Sequence, residues 1–226
     1  MSFVARNIEA SIKKIMKQYP IAALTGPRQS GKTTLLKKLF SDYRYVSLEN
    51  TDARTFATED PNGFLHQYDH HVIIDEVQRV PSLFSYLQTR VDEEGEMGQY
   101  ILSGSQNFHL MEQITQSLAG RVAIFKLLPF DHEELSQASL LPDNWETLAI
   151  KGCYPAIYDR NIDPGVFYTN YLQTYINRDV SMLSNVHNMR LFRNFIGLCA
   201  TRVGAILNLS NLAQDAGVSH TTAKIG

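Results

Sequence analysis

Eight residues, Gly26 to Thr33, constrain the fold of this chain more than any other segment. They have the sequence GPRQSGKT and satisfy every fixed position of the pattern GxxxxGK[ST]. A short apolar run of buried-strand type, Ile21 to Leu24, precedes them, and Leu35, Leu36 and Leu39 recur at helical spacing after them. The segment therefore predicts a loop that joins a buried strand to a helix, as phosphate-binding loops do.

Each residue type in this loop suits a phosphate ligand. Glycines let backbone N–H groups wrap a phosphate without Cβ clashes, and a helix N-terminus adds favourable partial charge. Lys32 can reach the β- and γ-phosphates as a compact cation, and the Thr33 hydroxyl can ligate Mg²⁺. Arg28 either contacts phosphate or packs outward, and we favour the outward position. The loop predicts that ATP, or another purine nucleoside triphosphate, is bound by Gly26, Pro27, Arg28, Gln29, Ser30, Gly31, Lys32, Thr33 and Thr34.

A pair of carboxylates, Asp75 and Glu76, follows the apolar run Val72 to Ile74. This pattern predicts a buried strand with two acids at its carboxyl end, where ligands gather in open α/β sheets. Asp75 can hold Mg²⁺, directly or through water. Glu76 is placed to polarise the attacking water as a general base, and the alternative is a solvated acid at the strand end. Beside a complete phosphate loop we favour the functional interpretation.

Another strand is predicted by the run Gln99 to Ser103, which a polar turn, Gly104 to Asn107, follows. In phosphate-loop enzymes whose acid pair lies on a separate strand, a polar side chain at this place contacts the γ-phosphate or the lytic water. Ser103 is the first candidate for this role and Ser105 the second. A plain polar turn is an equally open interpretation.

Strand and helix patterns alternate along the first part of the chain. Helical periodicity recurs between the apolar runs, notably over residues 82–92. Such alternation is typical of α/β proteins whose mostly parallel sheet is covered by helices on both faces, which is a three-layer sandwich. We assign residues 1–135 to this nucleotide-binding core. The apolar runs predict five strands, at 21–24, 45–48, 71–75, 99–103 and 122–128.

The pattern changes after Pro129. Residues 136–204 carry few strand signals, and their helical stretches predict a lid-like helical region. From Leu209 onward the spacing is typical of a helix–turn–helix, in which Gly217 suits the tight turn and Ser219 suits the N-cap of the second helix. We assign residues 205–226 to the beginning of this module and expect the chain to be a fragment of a longer protein.

Charge and cysteine content argue against several classes of protein. With 21 Lys+Arg and 23 Asp+Glu, the net charge of −2 is not that of a chain dominated by nucleic-acid binding. Cys153 and Cys199 lack CxxC spacing, which argues against a disulfide framework or a zinc site. No apolar run approaches the roughly 20 residues that span a bilayer, and the N-terminus lacks the features of a signal peptide. We therefore expect no membrane partner and a cytoplasmic location.

Seven segments carry a resemblance to a known family. They are GPRQSGKTTLLKKL, VSLEN, IIDEVQRVPSLF, LSGSQNF, LAGRVAIFKLLPF, GCYP and YLQTYINRD. Together they resemble the prokaryotic AAA-type ATPases that carry a winged-helix segment and a C-terminal domain of unknown function. The similarity covers essentially the whole chain, and the order and spacing of the segments are far more specific than the phosphate loop alone. One departure is Cys153, where the family more often has glycine before the aromatic–proline pair.

The resemblance implies a fold and an activity. The expected fold is an AAA+ core with sheet order 5-1-4-3-2, followed by helices and the start of a winged helix. The expected activity is hydrolysis of ATP to ADP, and ATP is preferred over other nucleotides only through the resemblance. Sites of this type are often completed by an arginine from a neighbouring subunit, so we expect a homo-oligomer.

Two arginines are candidates for contact with the γ-phosphate. Arg121 precedes the fifth predicted strand, and Arg178 lies in the segment YINRD. Each either stabilises developing charge, in its own chain or in a neighbour, or forms an ordinary ion pair. Asn50, which closes the second predicted strand, is a candidate switch that would hold Glu76 in an inactive pose until a partner binds.

Three functions are open at this point. The leading one is a Mg²⁺-dependent ATPase that acts on an unknown protein or nucleic-acid target. The second is a slow, nucleotide-gated switch that acts on DNA or a protein through the helix–turn–helix. For DNA that module has a poor electrostatic footprint, because its only basic side chains are Lys224 and the partly charged His220. The third is a small-molecule kinase, which the acid pair on a separate strand disfavours.

Overall fold

Five short parallel strands form one sheet. In the computed structural model, which describes residues 3–104, 114, 116–175 and 189–225, the sheet order is β2-β3-β4-β1-β5. All four neighbouring pairs are parallel. Read from the other edge, this is the order 5-1-4-3-2, so the predicted fold class is confirmed. The strands are β1 (Ile21–Thr25), β2 (Arg44–Ser47), β3 (Val72–Asp75), β4 (Tyr100–Ser103) and β5 (Val122–Lys126).

Helices connect the strands and extend the chain beyond them. A single 3₁₀ turn, Val77–Arg79, follows β3 directly. The α-helices up to residue 162 are α1 (Glu9–Ile15), α2 (Lys32–Leu39), α3 (Thr51–Glu59), α4 (Pro61–Gln67), α5 (Leu83–Glu94), α6 (His132–Gln137), α7 (Trp145–Lys151) and α8 (Pro155–Arg160). Those after residue 162 are α9 (Pro164–Tyr175), α10 (Met189–Ala200), α11 (Leu209–Ala216) and α12 (His220–Ile225).

Both faces of the three inner strands, β1, β3 and β4, are buried. Alternate residues of a strand point to opposite faces, so the strands must be apolar nearly throughout when helices cover both sides. One face packs on α3, α4 and α5 through Ala57, Phe64 and Leu87, among others. The other packs on α1 and α2 through Ile12 and Leu36. The result is the predicted three-layer sandwich.

The parallel register brings the carboxyl ends of the strands to one edge of the sheet. Ser47 is opposite Asp75, Asp75 is opposite Ser103, and Ser103 is opposite Leu24, one residue before the end of β1. Polar side chains from three separate strands therefore meet where β1 enters the phosphate loop.

The chain packs as two compact units, Met1–Ile162 and Asp163–Gly226. The predicted boundary at residue 135 differs from this division, because residues 136–162 pack with the first unit. The amide of Phe130 donates to the carbonyl of Cys153 (2.9 Å), and Ile157 is 1% exposed. Within the described ranges, no helix is long and apolar enough to cross a membrane.

In the second unit, α11 and α12 form the predicted helix–turn–helix. Gly217 ends α11 in the left-handed conformation (φ 67°). The Ser219 hydroxyl accepts a hydrogen bond from the Thr222 amide (3.1 Å), as an N-cap does. The predicted roles of Gly217 and Ser219 are thus confirmed, whereas the wing that would complete a winged helix stays a prediction.

Arg6 ties the N-terminal segment to the phosphate loop. Its guanidinium is buried and donates to the Glu134 carboxylate (Nε–Oε2 2.9 Å) and to the carbonyl of Ser30 (Nη1–O 3.1 Å). It also donates to the carbonyls of Leu128 (2.7 Å) and Pro129 (3.2 Å). One buried cation therefore holds three segments that are far apart in sequence.

We expect Glu134→Leu to lower the free energy of unfolding by about 3–5 kcal/mol, because it leaves a buried guanidinium without its carboxylate. The double variant Arg6→Met with Glu134→Leu should recover much of this loss, since no buried charge is then uncompensated. Urea unfolding measures both. Glu94→Leu is the control, because it removes only a surface i,i+4 pair with Arg90 and should cost less than about 1 kcal/mol. Equal losses in Glu134→Leu and Glu94→Leu would contradict this view of the Arg6 contact.

Candidate functional site

The phosphate loop joins β1 to α2 at the carboxyl edge of the sheet. Gly26 has a φ of 147°, and a Cβ added there would lie 2.1 Å from the Leu127 carbonyl oxygen, so only glycine fits. Gly31 adopts φ 94° at the N-terminus of α2. These two glycines give the loop its shape and direct the free N–H groups of the first helical turn to the same place. Such a turn is a ready-made site for an anion.

Lys32 crosses back over this loop. Its ammonium donates to the carbonyls of Gly26 (3.0 Å) and Pro27 (2.9 Å), and the residue is buried. Burial lowers the pKa of Lys32 below its ordinary value, and the nearby carboxylates of Glu76 and Asp75 oppose that shift. The ammonium therefore lies within electrostatic reach of both predicted acids.

Asp75 is the centre of the site. Its Oδ2 accepts hydrogen bonds from the hydroxyls of Thr33 (2.9 Å) and Tyr45 (2.8 Å). Its Oδ1 accepts from the Ser103 hydroxyl and from the Glu76 amide (3.2 Å). The carboxylate is buried and joins α2, β2 and β4 at the end of β3.

The Thr33 hydroxyl and the Asp75 carboxylate suit Mg²⁺. Both present hard oxygen donors, and their 2.9 Å contact puts them on the same side of the phosphate loop. Magnesium sites in phosphate-binding proteins use one or two such protein ligands, and phosphate and water oxygens complete the shell. The predicted pair therefore fits the ion. When bound, the ion would supply positive charge beside the phosphate oxygens.

Glu76 has an unusual backbone conformation. It lies in the left-handed region (φ 56°, ψ 40°), which is uncommon for a residue with a Cβ. The following 3₁₀ turn is anchored by Val77, which is fully buried. The side-chain amide of Gln78 donates to Glu76 Oε2 (2.6 Å). The Glu76 carboxylate opposes the lowering of the Lys32 pKa by burial, so its charge is within electrostatic reach of the Lys32 ammonium.

Tyr45 belongs to the site, although no motif marks it in the sequence. It is the second residue of β2 and donates to Asp75. Burial, followed by this hydrogen bond, raises the pKa of the Tyr45 phenol, so the hydroxyl keeps its proton and remains a donor. The signal that could have found it is its place on the strand next to the acid strand in the predicted sheet order. Gln78, inside the segment DEVQR, is likewise a contact that no motif marks in the sequence.

Ser103 and Asn50, the candidates at the ends of β4 and β2, make contacts other than the predicted ones. The Ser103 hydroxyl donates to Asp75, so it supports the acid strand; its predicted contact with the γ-phosphate or water stays a prediction. Ser105 lies outside the described residues. Asn50 is the N-cap of α3, where its Oδ1 accepts from the Ala53 amide (3.0 Å). This hydrogen bond caps α3, and the structure shows no hydrogen bond between the described side chains of Asn50 and Glu76.

The candidate arginines divide into three cases. Arg121 precedes β5 and therefore lies at the amino edge of the sheet, where it forms a two-point ion pair with Asp92 (2.6 and 2.7 Å). This corrects the expectation for its own chain, since the phosphate loop is at the opposite edge. Arg178 lies outside the described residues. Arg28 is half-buried within the loop, and its positive charge contributes to lowering the pKa of Lys32; its outward position stays a prediction. Thr34 is exposed on α2.

Comparison with families of known proteins gives two matches. A family model described as an AAA domain matches residues 18–136, a little over half of the chain. A model described as a domain of unknown function matches residues 142–225. The two models match parts of both compact units, and the first includes the loop, the acid pair and all five strands.

Curated relatives occur in mycobacteria. Uncharacterized proteins of Mycobacterium tuberculosis and Mycobacterium bovis are each 27% identical over 224 residues, which is 97% of this chain and 49% of the relative. The chain thus spans about half the length of the curated relatives it matches.

Two solved structures share the fold. The Walker-type ATPase of Pyrococcus abyssi superposes with a TM-score of 0.55 at 16% identity, over 99% of this chain and 96% of that one. DnaA from Aquifex aeolicus, solved with AMPPCP bound, gives a TM-score of 0.50 at 15% identity, over 99% and 88%. At such identities the likeness is one of fold.

The lowered pKa of Lys32 predicts a dependence of stability on pH. Because the folded state releases this proton before the unfolded chain does, the unfolded state binds more protons between the folded pKa and 10.5. The stability contributed by neutral Lys32 therefore rises with pH in that window. We expect the unfolding free energy of wild type, minus that of Lys32→Met, to increase between about pH 7 and about pH 10.

Urea unfolding at several pH values measures this difference. Lys38→Met is the matched control, because it changes an exposed lysine of the same helix and should give a smaller shift. An equal shift in both variants would show that burial of Lys32 is not the cause.

Proposed function

The chain belongs to the AAA domain family, whose model matches residues 18–136. On this premise we propose that it binds ATP with Mg²⁺ and hydrolyses it to ADP and phosphate. One observation carries the proposal. Lys32, Thr33, Asp75 and Glu76 come from two segments that are about forty residues apart, yet they meet at one edge of the sheet. The hydrogen bond from Thr33 to Asp75 is the direct contact between the two segments.

In this proposal the phosphate loop binds the nucleotide, and the acids at the end of β3 orient the metal ion and the water. The free N–H groups at the start of α2 and the Lys32 ammonium hold the phosphates and stabilise negative charge as it develops. Thr33 and Asp75 would hold the ion that neutralises the remaining charge. The contribution of these groups to the rate would be mainly positioning and electrostatics.

Glu76 would act on the water molecule. Its carboxylate lies near Lys32 and is held by the Gln78 amide, so it is oriented rather than free. From there it would accept a hydrogen bond from the water. As the bond between the water oxygen and the γ-phosphorus forms, Glu76 would take the proton, the bond from that phosphorus to the β–γ bridging oxygen would break, and ADP would leave. General bases of this kind contribute about 10²- to 10⁴-fold to the rate.

The wider assembly belongs to the proposal as well. Since Arg121 lies at the far edge of the sheet, an arginine that completes the site would come from Arg178 or from a neighbouring copy. The proposal also includes a homo-oligomer and a cytoplasmic location. It further includes a protein or nucleic-acid target on which the free energy of ATP hydrolysis is used.

A second candidate is a slow nucleotide-gated switch. The observation that favours it is the helix–turn–helix of α11 and α12, with its left-handed turn at Gly217 and its cap at Ser219. In this case nucleotide binding would set the conformation and the module would bind DNA or a protein. Turnover below about one per hour with tight nucleotide binding would favour the switch over the ATPase.

We expect Lys32→Ala to abolish binding of Mg²⁺-ATP and Glu76→Gln to keep it. The Gln variant should lose about 10²- to 10⁴-fold in turnover, because the amide cannot accept the proton of water. Calorimetric titration of ATP and ADP measures binding, and phosphate release measures turnover. Glu59→Gln is the control, since it changes an exposed acid at the end of α3 and should leave both quantities unchanged.

The outcomes test the nucleotide site and the general base separately. Binding lost in Lys32→Ala and turnover lost in Glu76→Gln would support the ATPase. Full turnover in Glu76→Gln would remove the general base from the mechanism. Undetectable binding to the intact folded chain would contradict the nucleotide site itself.

A further inference from the structure

We propose that Tyr45 is a positioning residue that holds Asp75 in the orientation needed for Mg²⁺. Nothing in the motif pattern points to this tyrosine, and its role follows from contacts at the sheet edge. The inference rests on the proposed function, because it concerns the ion that would accompany ATP. Tyr45 itself is not expected to touch nucleotide or metal.

The argument starts from the freedom of an aspartate side chain. The terminal torsion of Asp is broad, so a carboxylate keeps one orientation only when donors fix both of its oxygens. Ser103 and the Glu76 amide hold Oδ1, and Thr33 and Tyr45 hold Oδ2. If Thr33 turns its hydroxyl toward a metal ion, Tyr45 is the side chain that continues to fix Oδ2.

Tyr45 is itself well fixed. Its backbone pairs with Ile73 of β3, and its ring packs against the apolar cluster under α1 and α2. The ammonium of Lys37 lies 3.5 Å from the centre of the ring. A cation over an aromatic face is held by the ring's negative potential.

The spacing along α2 explains why these groups meet. Thr33 and Lys37 are four residues apart, so they occupy the same face of the helix. Thr33 contacts the Asp75 carboxylate and Lys37 contacts the Tyr45 ring, while Tyr45 donates to Asp75. The helix that begins at the phosphate loop thus meets the acid strand at two places, one of them through Tyr45.

This arrangement predicts a specific defect. Partners that orient metal ligands without touching the ion typically change metal affinity by about 10- to 100-fold when removed. Loss of the Tyr45 hydroxyl should therefore weaken the effect of Mg²⁺ on nucleotide binding. Contacts between the phosphate loop and the nucleotide do not depend on Asp75, so binding without Mg²⁺ should be unaffected.

The experiment titrates the full chain with an ATP analogue that carries a methylanthraniloyl fluorophore on its ribose. Nucleotide affinity is measured in EDTA and then at increasing MgCl₂. For Tyr45→Phe we expect the Mg²⁺ concentration at half effect to rise roughly 10-fold, with affinity in EDTA within about twofold of wild type. Lys37→Met should give a smaller rise in the same direction.

Tyr43→Phe is the matched control. It removes another tyrosine hydroxyl, two residues earlier, which donates to the Gly98 carbonyl (2.6 Å) at the amino edge of the sheet. It should reproduce the wild-type dependence on Mg²⁺. Circular dichroism during urea unfolding compares the stability of the two variants, so that a general loss of fold is distinguished from a local effect.

Each outcome decides one point. A rise in the required Mg²⁺ in Tyr45→Phe and none in Tyr43→Phe supports the inference. A wild-type dependence in Tyr45→Phe, or equal rises in both variants, overturns it while the proposed nucleotide site stands. Absence of nucleotide binding by the folded wild-type chain overturns the proposed function, and the inference with it.

Discussion

The site depends on a single buried carboxylate, that of Asp75. Four donors from α2, β2, β4 and the turn after β3 converge on it. A buried carboxylate without such partners would be costly, so the donors and the acid require one another. The strand order brings them together: β3 lies between β2 and β4, and β1, which leads into α2, follows next. A change of sheet order would separate these groups and leave a charge buried beside apolar side chains.

Much of this could be predicted from the sequence, and the limits have physical causes. The strands, the loop and the acid pair have local signals, namely apolar runs, glycine spacing and two adjacent carboxylates. Tyr45 has none, because its role depends on which strand lies beside it and on the face to which its ring points. Arg121 shows the opposite case: it was a candidate for the γ-phosphate, but its place at the amino end of β5 puts it at the far edge of its own sheet with Asp92, and a role in a neighbouring copy stays a prediction.

Asn50 illustrates a further limit. A polar residue at the end of β2 is close in sequence to the site edge, so it suggested a contact with Glu76. The same residue precedes a helix, and a side-chain oxygen there can satisfy a free N–H group of the first turn. Asn50 accepts a hydrogen bond from a free N–H group at the start of α3. The side chain that contacts Glu76 is that of Gln78, two residues after Glu76. In this structure Asn50 therefore makes the short-range contact, and its role as a switch stays a prediction.

The conformation of Glu76 shows how the core and the site are linked. A left-handed backbone at a residue with a Cβ costs of order 1–3 kcal/mol and persists only where the surroundings impose it. Here β3 fixes the chain before Glu76, and the buried side chain of Val77 fixes it immediately afterwards. Glycine at this position would relieve the cost but would remove the carboxylate whose charge acts on Lys32. The apolar packing on either side of Glu76 therefore maintains a left-handed backbone at a residue whose carboxylate lies within electrostatic reach of Lys32.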